Sequence, residues 1–201
     1  MAHDASATRV NVIRFDDLRR GDVALVGGKN SSLGEMVQEL AGAGIAVPPG
    51  FATTADAYRA FLAANDLNDR IAAAIAEWDS GKRTLQETGA KIREMIVAGD
   101  WPEDIAADIR RGYAELSERA GHPQLSVAVR SSATAEDLPD ASFAGQQETF
   151  LNIVGDAALL DACRRCYASL FTDRAISYRK YNGFDHSQVA LSVGVQQMVR
   201  S

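Results

Sequence analysis

Histidine and cysteine, which supply many catalytic and metal-binding side chains, are scarce in this chain. Its 201 residues include three histidines, His3, His122 and His186, and two cysteines, Cys163 and Cys166. The histidines fall in separate turn-like segments, where we expect surface residues, and their spacing fits neither a metal site nor a nucleophile with its base. The cysteines form a single C-x-x-C within a predicted helix. Because no second pair follows, this motif indicates two reduced thiols rather than a redox or zinc site.

Long apolar runs and an excess of basic residues are missing as well. No segment approaches the roughly 20 apolar residues that span a bilayer, and residues 1–10 lack the apolar core of a signal peptide. The 21 basic and 27 acidic side chains leave a net charge of −6. This balance argues against binding to nucleic acids or membranes, although a lysine and an arginine can still create a local pocket for an anion. We therefore expect a cytoplasmic protein.

The hydrophobic periodicity predicts an α+β fold with more helix than strand, in which we expect a mixed, mostly antiparallel sheet and a substantial helical lobe. Helical spacing dominates the central part of the chain, and alternating apolar residues predict strands near residues 12–15, 125–129, 149–153 and 189–195. Thr54 is a candidate N-cap for a helix that follows it. We expect a flexible N-terminus over residues 1–11 and one module over residues 12–201, with a mainly helical insert at about 67–119. The last strand stops without a polar tail, so we interpret the chain as truncated within the module.

A first candidate site is the lysine of the segment Gly27-Gly28-Lys29. Glycines allow an anion to approach the backbone, a helix N-terminus offers free N–H groups, and lysine adds a positive charge. Ser32 and Glu35 fit a capping box, which predicts that the helix begins beside Lys29. The spacing does not match the Walker pattern. A glycine turn before a capped helix, without any ligand, explains the segment equally well.

A second candidate is the long segment that follows the predicted strand ending at Arg130. Residues 131–148 are rich in small and hydroxyl-bearing side chains and are too many for a hairpin turn. Small side chains let backbone N–H groups approach an anion, and Arg130 adds a permanent charge with a fork of donors. We interpret the segment as a phosphate-clamping loop, although Arg130 could instead pair on the surface with Glu136 or Asp137. These two acids with Asp140 form either a metal site or a solvated acidic loop, and we favour the loop.

These motifs belong to a longer set that resembles the phosphoenolpyruvate synthase family (pyruvate, water dikinases). The resemblance covers the chain from about residue 12 and rests on five segments in the family's order, residues 27–36, 47–54, 129–149, 169–179 and 196–200. It is specific for the N-terminal ATP-binding module of the dikinases. The final phosphoryl acceptor is less certain, because pyruvate phosphate dikinases and rifampicin phosphotransferases are similar. A non-catalytic nucleotide-sensing module is a further alternative.

The resemblance implies an ATP-grasp fold, in which ATP lies between two lobes. It implies that Lys29 and Arg130 bind the triphosphate and act in catalysis by neutralising its charge. Gly145 and Thr149 are expected to line the nucleotide pocket, and Gln196 to approach the adenine.

The family's reaction, as the resemblance implies it, uses ATP and Mg²⁺ to phosphorylate a histidine on a separate domain. That phosphohistidine passes its phosphoryl group to pyruvate, while AMP and phosphate leave. The metal ligands, the histidine domain and the pyruvate domain are all expected in a missing C-terminal part. We therefore expect this chain alone to be inactive toward pyruvate.

Overall fold

The computed structural model describes residues 9–134 and 148–199, within which the chain forms five strands and seven α-helices. The strands are β1 (Val12–Arg14), β2 (Gly50–Thr53), β3 (Val127–Ala133), β4 (Thr149–Ile153) and β5 (Leu191–Gln197). The helices are α1 (Val23–Gly42), α2 (Ala55–Ala64), α3 (Leu67–Asp79), α4 (Leu85–Val97), α5 (Glu103–Arg119), α6 (Asp156–Ser169) and α7 (Asp173–Tyr181). Two short 3₁₀ helices, Phe15–Asp17 and Arg20–Asp22, connect β1 to α1.

The strands form one sheet in the order β1-β2-β5-β3-β4. All four pairings are antiparallel, which confirms the predicted α+β fold with a largely antiparallel sheet. β5, the last strand in the chain, lies at the centre of the sheet, where Val195 is opposite both Phe51 of β2 and Val129 of β3. The centre of the sheet therefore joins strands that are far apart in the sequence.

The two faces of the sheet have separate apolar cores because side chains alternate along each strand. Val127 and Val129 of β3 and Val193 of β5 belong to the larger core, to which α2 to α7 also contribute buried residues. The opposite face carries α1 and a smaller core that includes Val26 of α1 and Ala52 of β2. The helices thus lie on both sides of the sheet, with α1 and the 3₁₀ helix Phe15–Asp17 contributing to the smaller core.

Local signals correctly predicted the helices of the middle of the chain. The predicted helical region at 67–119 contains α3, α4 and α5, whose buried side chains join the larger core. Thr54 caps α2, since its hydroxyl accepts a hydrogen bond from the Ala57 N–H at 3.1 Å. In the part of the chain that the structure covers, none of the helices combines the length and the apolar character needed to cross a bilayer.

The start of α1 differs from the prediction. The helix begins at Val23, and Ser32 lies inside it, so the predicted capping box of Ser32 with Glu35 is wrong. The neighbouring residue, Ser31, also lies inside the helix, and its Oγ donates a hydrogen bond to the Arg19 carbonyl oxygen at 2.8 Å. A serine within a helix can donate to backbone outside it, and sequence spacing does not distinguish that from capping.

Candidate functional site

A break at Gly27 divides α1 into two segments. Gly27 has φ +75° and ψ 163°, a conformation that side chains with a Cβ rarely adopt. Helical geometry resumes immediately afterwards, so Lys29 lies in the first turn of the second segment and its side chain is exposed. The N–H groups of such a first turn have no partner within the helix and carry the positive end of its dipole. Lys29 was predicted to precede a helix directly, and it lies instead in the first turn after the break, which a glycine and not a serine cap creates.

The same glycine brings this helix end against the end of β3. A Cβ on Gly27 would lie 2.3 Å from the Ser132 Oγ and 2.7 Å from the Ser132 carbonyl oxygen. Contacts this close are possible only without a side chain. The break therefore lets the backbone of α1 touch β3 two residues beyond Arg130.

A buried asparagine fixes the second segment of α1 to the centre of the sheet. The Asn30 Nδ2 donates to the Ser192 Oγ of β5 at 2.8 Å, and the Ser192 Oγ donates in turn to the Thr53 carbonyl at 2.5 Å. A Cβ on Gly194 would lie 2.2 Å from the Asn30 Oδ1, so the helix also needs a glycine at this point of β5. Sequence reasoning missed the role of Asn30, because the spacing of one polar residue does not reveal a partner 162 positions away.

Arg130 and Thr149 are directly opposite each other in the β3–β4 ladder, and both are exposed. Arg130 is also opposite Gly194 in the β3–β5 ladder. Residues opposite each other in a ladder share a face of the sheet. Because Gly194 contacts Asn30 of α1, Arg130 and Thr149 lie on the face that carries α1. The structure thus brings the helix end with Lys29 and the Arg130–Thr149 pair to the same side of the sheet.

Gln196 lies farther along the same face. It follows Gly194 by two residues on β5 and is opposite Ala128, so it lies about 7 Å from the row of Arg130. Its side chain is nearly buried, and its Nε2 donates to the Pro48 carbonyl at 3.0 Å. The amide is therefore held in one orientation by the turn that precedes β2.

Two of the predicted features lie outside the described residues. They are Gly145 and the acidic group of Glu136, Asp137 and Asp140. Within residues 9–134 and 148–199, no group of three or more histidine, cysteine or acidic side chains is placed to hold a metal ion.

Comparison with known proteins identifies the family. Residues 23–201 match the family described as "Pyruvate phosphate dikinase, AMP/ATP-binding domain". The chain belongs to this family.

This chain is similar over nearly its whole length to curated phosphoenolpyruvate synthases. It is 56% identical over 191 residues to the phosphoenolpyruvate synthase of Pseudomonas aeruginosa (strain UCBPP-PA14). The aligned residues make up 94% of this chain and 24% of the relative. Identity to the synthase of Escherichia coli (strain K12) is 53%, with the same coverage. The synthase of Synechocystis sp. (strain PCC 6803) is 50% identical over 206 residues, covering 100% of this chain and 25% of the relative. The chain therefore spans about a quarter of the length of these relatives.

The two cysteines of this dikinase-family chain belong to the larger core, on the opposite side of the sheet from the α1 face, which is the face that carries α1, Arg130 and Thr149. Cys163 and Cys166 of α6 are both fully buried and free. Burial raises the pKa of the Cys163 thiol to about 12 and raises that of Cys166 well above its ordinary value. Since the thiolate is the reactive form, neither cysteine is suited to nucleophilic chemistry at neutral pH.

One histidine prediction is wrong. His186 is partly buried rather than a surface residue, and its Nδ1 accepts a hydrogen bond from the Nε of Arg179 at 2.9 Å. Burial, and then the charge of Arg179, lower the pKa of His186 to about 4, so its imidazole is neutral at physiological pH. No local signal in the sequence indicated that Arg179, at the end of α7, would be fully buried.

Proposed function

We propose that this chain is the N-terminal part of the ATP-binding module of a phosphoenolpyruvate synthase. The observation that carries the proposal is the contact of Gly27 with Ser132, which joins the helix end of Lys29 to the strand of Arg130 on one face of the sheet. Two cationic residues and a helix N-terminus on one face of a sheet suit a polyanion such as a triphosphate. The 50–56% identity to curated synthases supports the choice within the family.

In this proposal each residue of the α1 face has a separate role. Lys29 and the first-turn N–H groups of α1 neutralise phosphate oxygens, and Arg130 offers a fork of donors to the same group. Thr149, beside Arg130, borders the nucleotide, and Gly145 completes the lining. Gln196, held by the Pro48 carbonyl, contacts the adenine with its amide.

The overall reaction proposed for the complete enzyme is that ATP, pyruvate and water yield AMP, phosphoenolpyruvate and phosphate. A histidine on a domain outside this chain would carry the phosphoryl group between ATP and pyruvate. Phosphoryl transfer depends mainly on positioning and charge neutralisation, which are the contributions available from Lys29 and Arg130. Mg²⁺ would supply positive charge to the phosphates, and its protein ligands are expected in the part of the enzyme that lies beyond this chain. We place the enzyme in the cytoplasm, where its free thiols stay reduced.

The test is formation of the phosphohistidine in the complete enzyme from labelled ATP. Lys29→Ala and Arg130→Ala are each expected to slow it by at least about 100-fold, because groups that stabilise transferred charge contribute at this scale.

Matched controls are Lys82→Ala and Arg174→Ala, which remove exposed cations from the α3–α4 loop and from α7. These controls are expected to retain the parental rate. A parental rate in both the Lys29 and the Arg130 variants would refute the assignment of the site.

A further inference from the structure

A cavity lies on the opposite side of the sheet from the face that carries α1. It has a volume of about 280 Å³ and is enclosed by α2, α3 and the segment that joins α7 to β5. Its walls are mostly apolar, and include Leu62, Ile71, Ile75 and Val189. The volume is at the lower end of the range of small-molecule sites, so a compact ligand would fill it.

A buried cation lies directly behind this cavity. The guanidinium of Arg179 is fully buried, 5.2 Å from the centre of the Phe171 ring, and both Phe171 and His186 line the cavity. Burial lowers the pKa of Arg179 to about 10, which leaves the group charged at neutral pH. Among the described residues its Nη1 and Nη2 have no hydrogen-bond partner, and no carboxylate forms an ion pair with it. A buried charge without compensation is unfavourable, so an anion nearby would stabilise the fold.

His186 connects this charge to the cavity. An arginine Nε always donates, so the His186 Nδ1 that receives its hydrogen bond must carry the lone pair. The proton of the neutral imidazole is therefore on Nε2, which makes His186 a hydrogen-bond donor in the cavity wall. The positive guanidinium behind the ring strengthens that donor toward an anionic acceptor.

Two acidic residues, Asp79 and Asp185, line the cavity, and both are exposed to solvent. The Asp185 Oδ1 accepts hydrogen bonds from the Ser187 N–H and the Ser187 Oγ, both at 2.8 Å. Lys180 pairs with Asp79 at 2.8 Å. The cavity also has Arg59 at its edge. Among the described residues, the buried guanidinium of Arg179 has no carboxylate partner, and its described contacts are the hydrogen bond from its Nε to His186 and the Phe171 ring.

We propose that this cavity is a binding site for a small monocarboxylate with a compact apolar body, such as an aromatic or branched-chain acid. The apolar walls receive the body, and the carboxylate accepts from the His186 Nε2–H in the field of Arg179. The site is separate from the proposed nucleotide face, because its wall residues belong to the larger core on the opposite side of the sheet. A ligand there would be bound together with ATP rather than in its place.

The test is titration of the full chain with benzoate, measured by calorimetry, with benzamide as the neutral ligand of the same shape. Benzoate is expected to bind at one site, at least tenfold more tightly than benzamide. Ala72→Phe, which fills the cavity from α3, is expected to weaken benzoate binding at least tenfold. Ala73→Phe is the matched control, because Ala73 is the next residue on the same helix, is also exposed and does not line the cavity. It is expected to bind benzoate as the parent does.

Three results would overturn the proposal. They are the absence of benzoate binding to the folded parent, equal affinities for benzoate and benzamide, and undiminished benzoate binding by Ala72→Phe. The first would mean that the cavity takes no small carboxylate, and the second that the buried charge does not select the ligand. The third would place benzoate elsewhere. None of these results bears on Lys29 or Arg130, so the proposed ATP site is tested independently.

Discussion

At the scale of single residues, two glycines determine how closely α1 approaches the sheet. Gly27 brings the helix against Ser132, and Gly194 leaves room for the Asn30 side chain. Both allow backbone and side chains to meet at distances that a Cβ would prevent. Of the two, Gly27 alone also has a positive φ, +75°, which favours glycine. The proposed phosphate site therefore depends on a residue that contributes no side-chain chemistry.

Alanine replacements at Gly27 and Gly81 separate the cost of the clash with β3 from the cost of a positive φ. Gly27→Ala is expected to lower the free energy of unfolding by about 3 kcal/mol or more, since it adds a clash with β3 to the cost of positive φ. Gly81→Ala is the matched control, because Gly81 has nearly the same φ, +73°, with nothing within 4 Å of its added Cβ. The control is expected to lose about 1 kcal/mol. Equal losses in denaturant unfolding would contradict the close approach of α1 to β3.

At the scale of secondary-structure elements, the orientation of α1 is held by a polar link through an otherwise apolar layer. Asn30 contacts Ser192 of β5, and Ser192 contacts the Thr53 carbonyl of β2, so one chain of hydrogen bonds joins α1 to two central strands. Polar groups buried in this way are directional, whereas apolar packing is not. The apolar contacts of Val26 attach the helix, and the Asn30 link specifies its position.

Loss of this link is expected to affect both stability and nucleotide binding. Asn30→Ala should lower the free energy of unfolding by about 1–3 kcal/mol, because it leaves buried polar groups without a partner. It should also weaken ATP binding in the complete enzyme, since the helix end of Lys29 is no longer held beside β3.

The control for this prediction is Asn65→Ala. Asn65 also bridges two segments, since its Nδ2 donates to the carbonyls of Phe61 and Asp100, but it lies among the helices of the opposite side. Its replacement is expected to lower stability and leave ATP affinity unchanged. Equal changes of ATP affinity in the two variants would show that α1 has no special part in binding.

At the scale of the whole molecule, Lys29, Arg130 and Thr149, which we propose for ATP binding, lie on the face of the sheet that carries α1. All three residues are exposed. The matching relatives are about four times as long as this chain, since it covers 24–25% of their length. A nucleotide bound by the chain alone would therefore contact one lobe of the cleft that we propose for the enzyme.

We expect the isolated chain to bind ATP at least tenfold more weakly than the complete enzyme does, because half of the proposed cleft is absent. We also expect no turnover of pyruvate by the chain. Calorimetric titration with ATP, with and without Mg²⁺, measures the first expectation, and Lys29→Ala serves as the control for site-specific binding. Tight binding by the chain that depends on Mg²⁺ would refute the proposal that the second lobe supplies the metal ligands.

The sequence by itself determined the elements of this protein and the family to which it belongs. Apolar periodicity predicted the helices and strands, Thr54 was identifiable as a cap, and the motifs around Lys29 and Arg130 indicated an anion site. These signals are local, because each depends on residues a few positions apart along one helix or strand. The roles of Lys29, Arg130, Gly145, Thr149 and Gln196 in ATP binding stay predictions.

Only the tertiary structure decided how these helices and strands are arranged and which distant residues contact each other. In the structure β5 lies at the centre of the sheet, α1 begins at Val23, earlier than predicted, and the buried Arg179 donates a hydrogen bond to His186. Each of these depends on contacts between distant parts of the chain, such as Asn30 with Ser192. Spacing along the sequence carries no information about such partners, because burial and backbone approach arise only when the elements pack together.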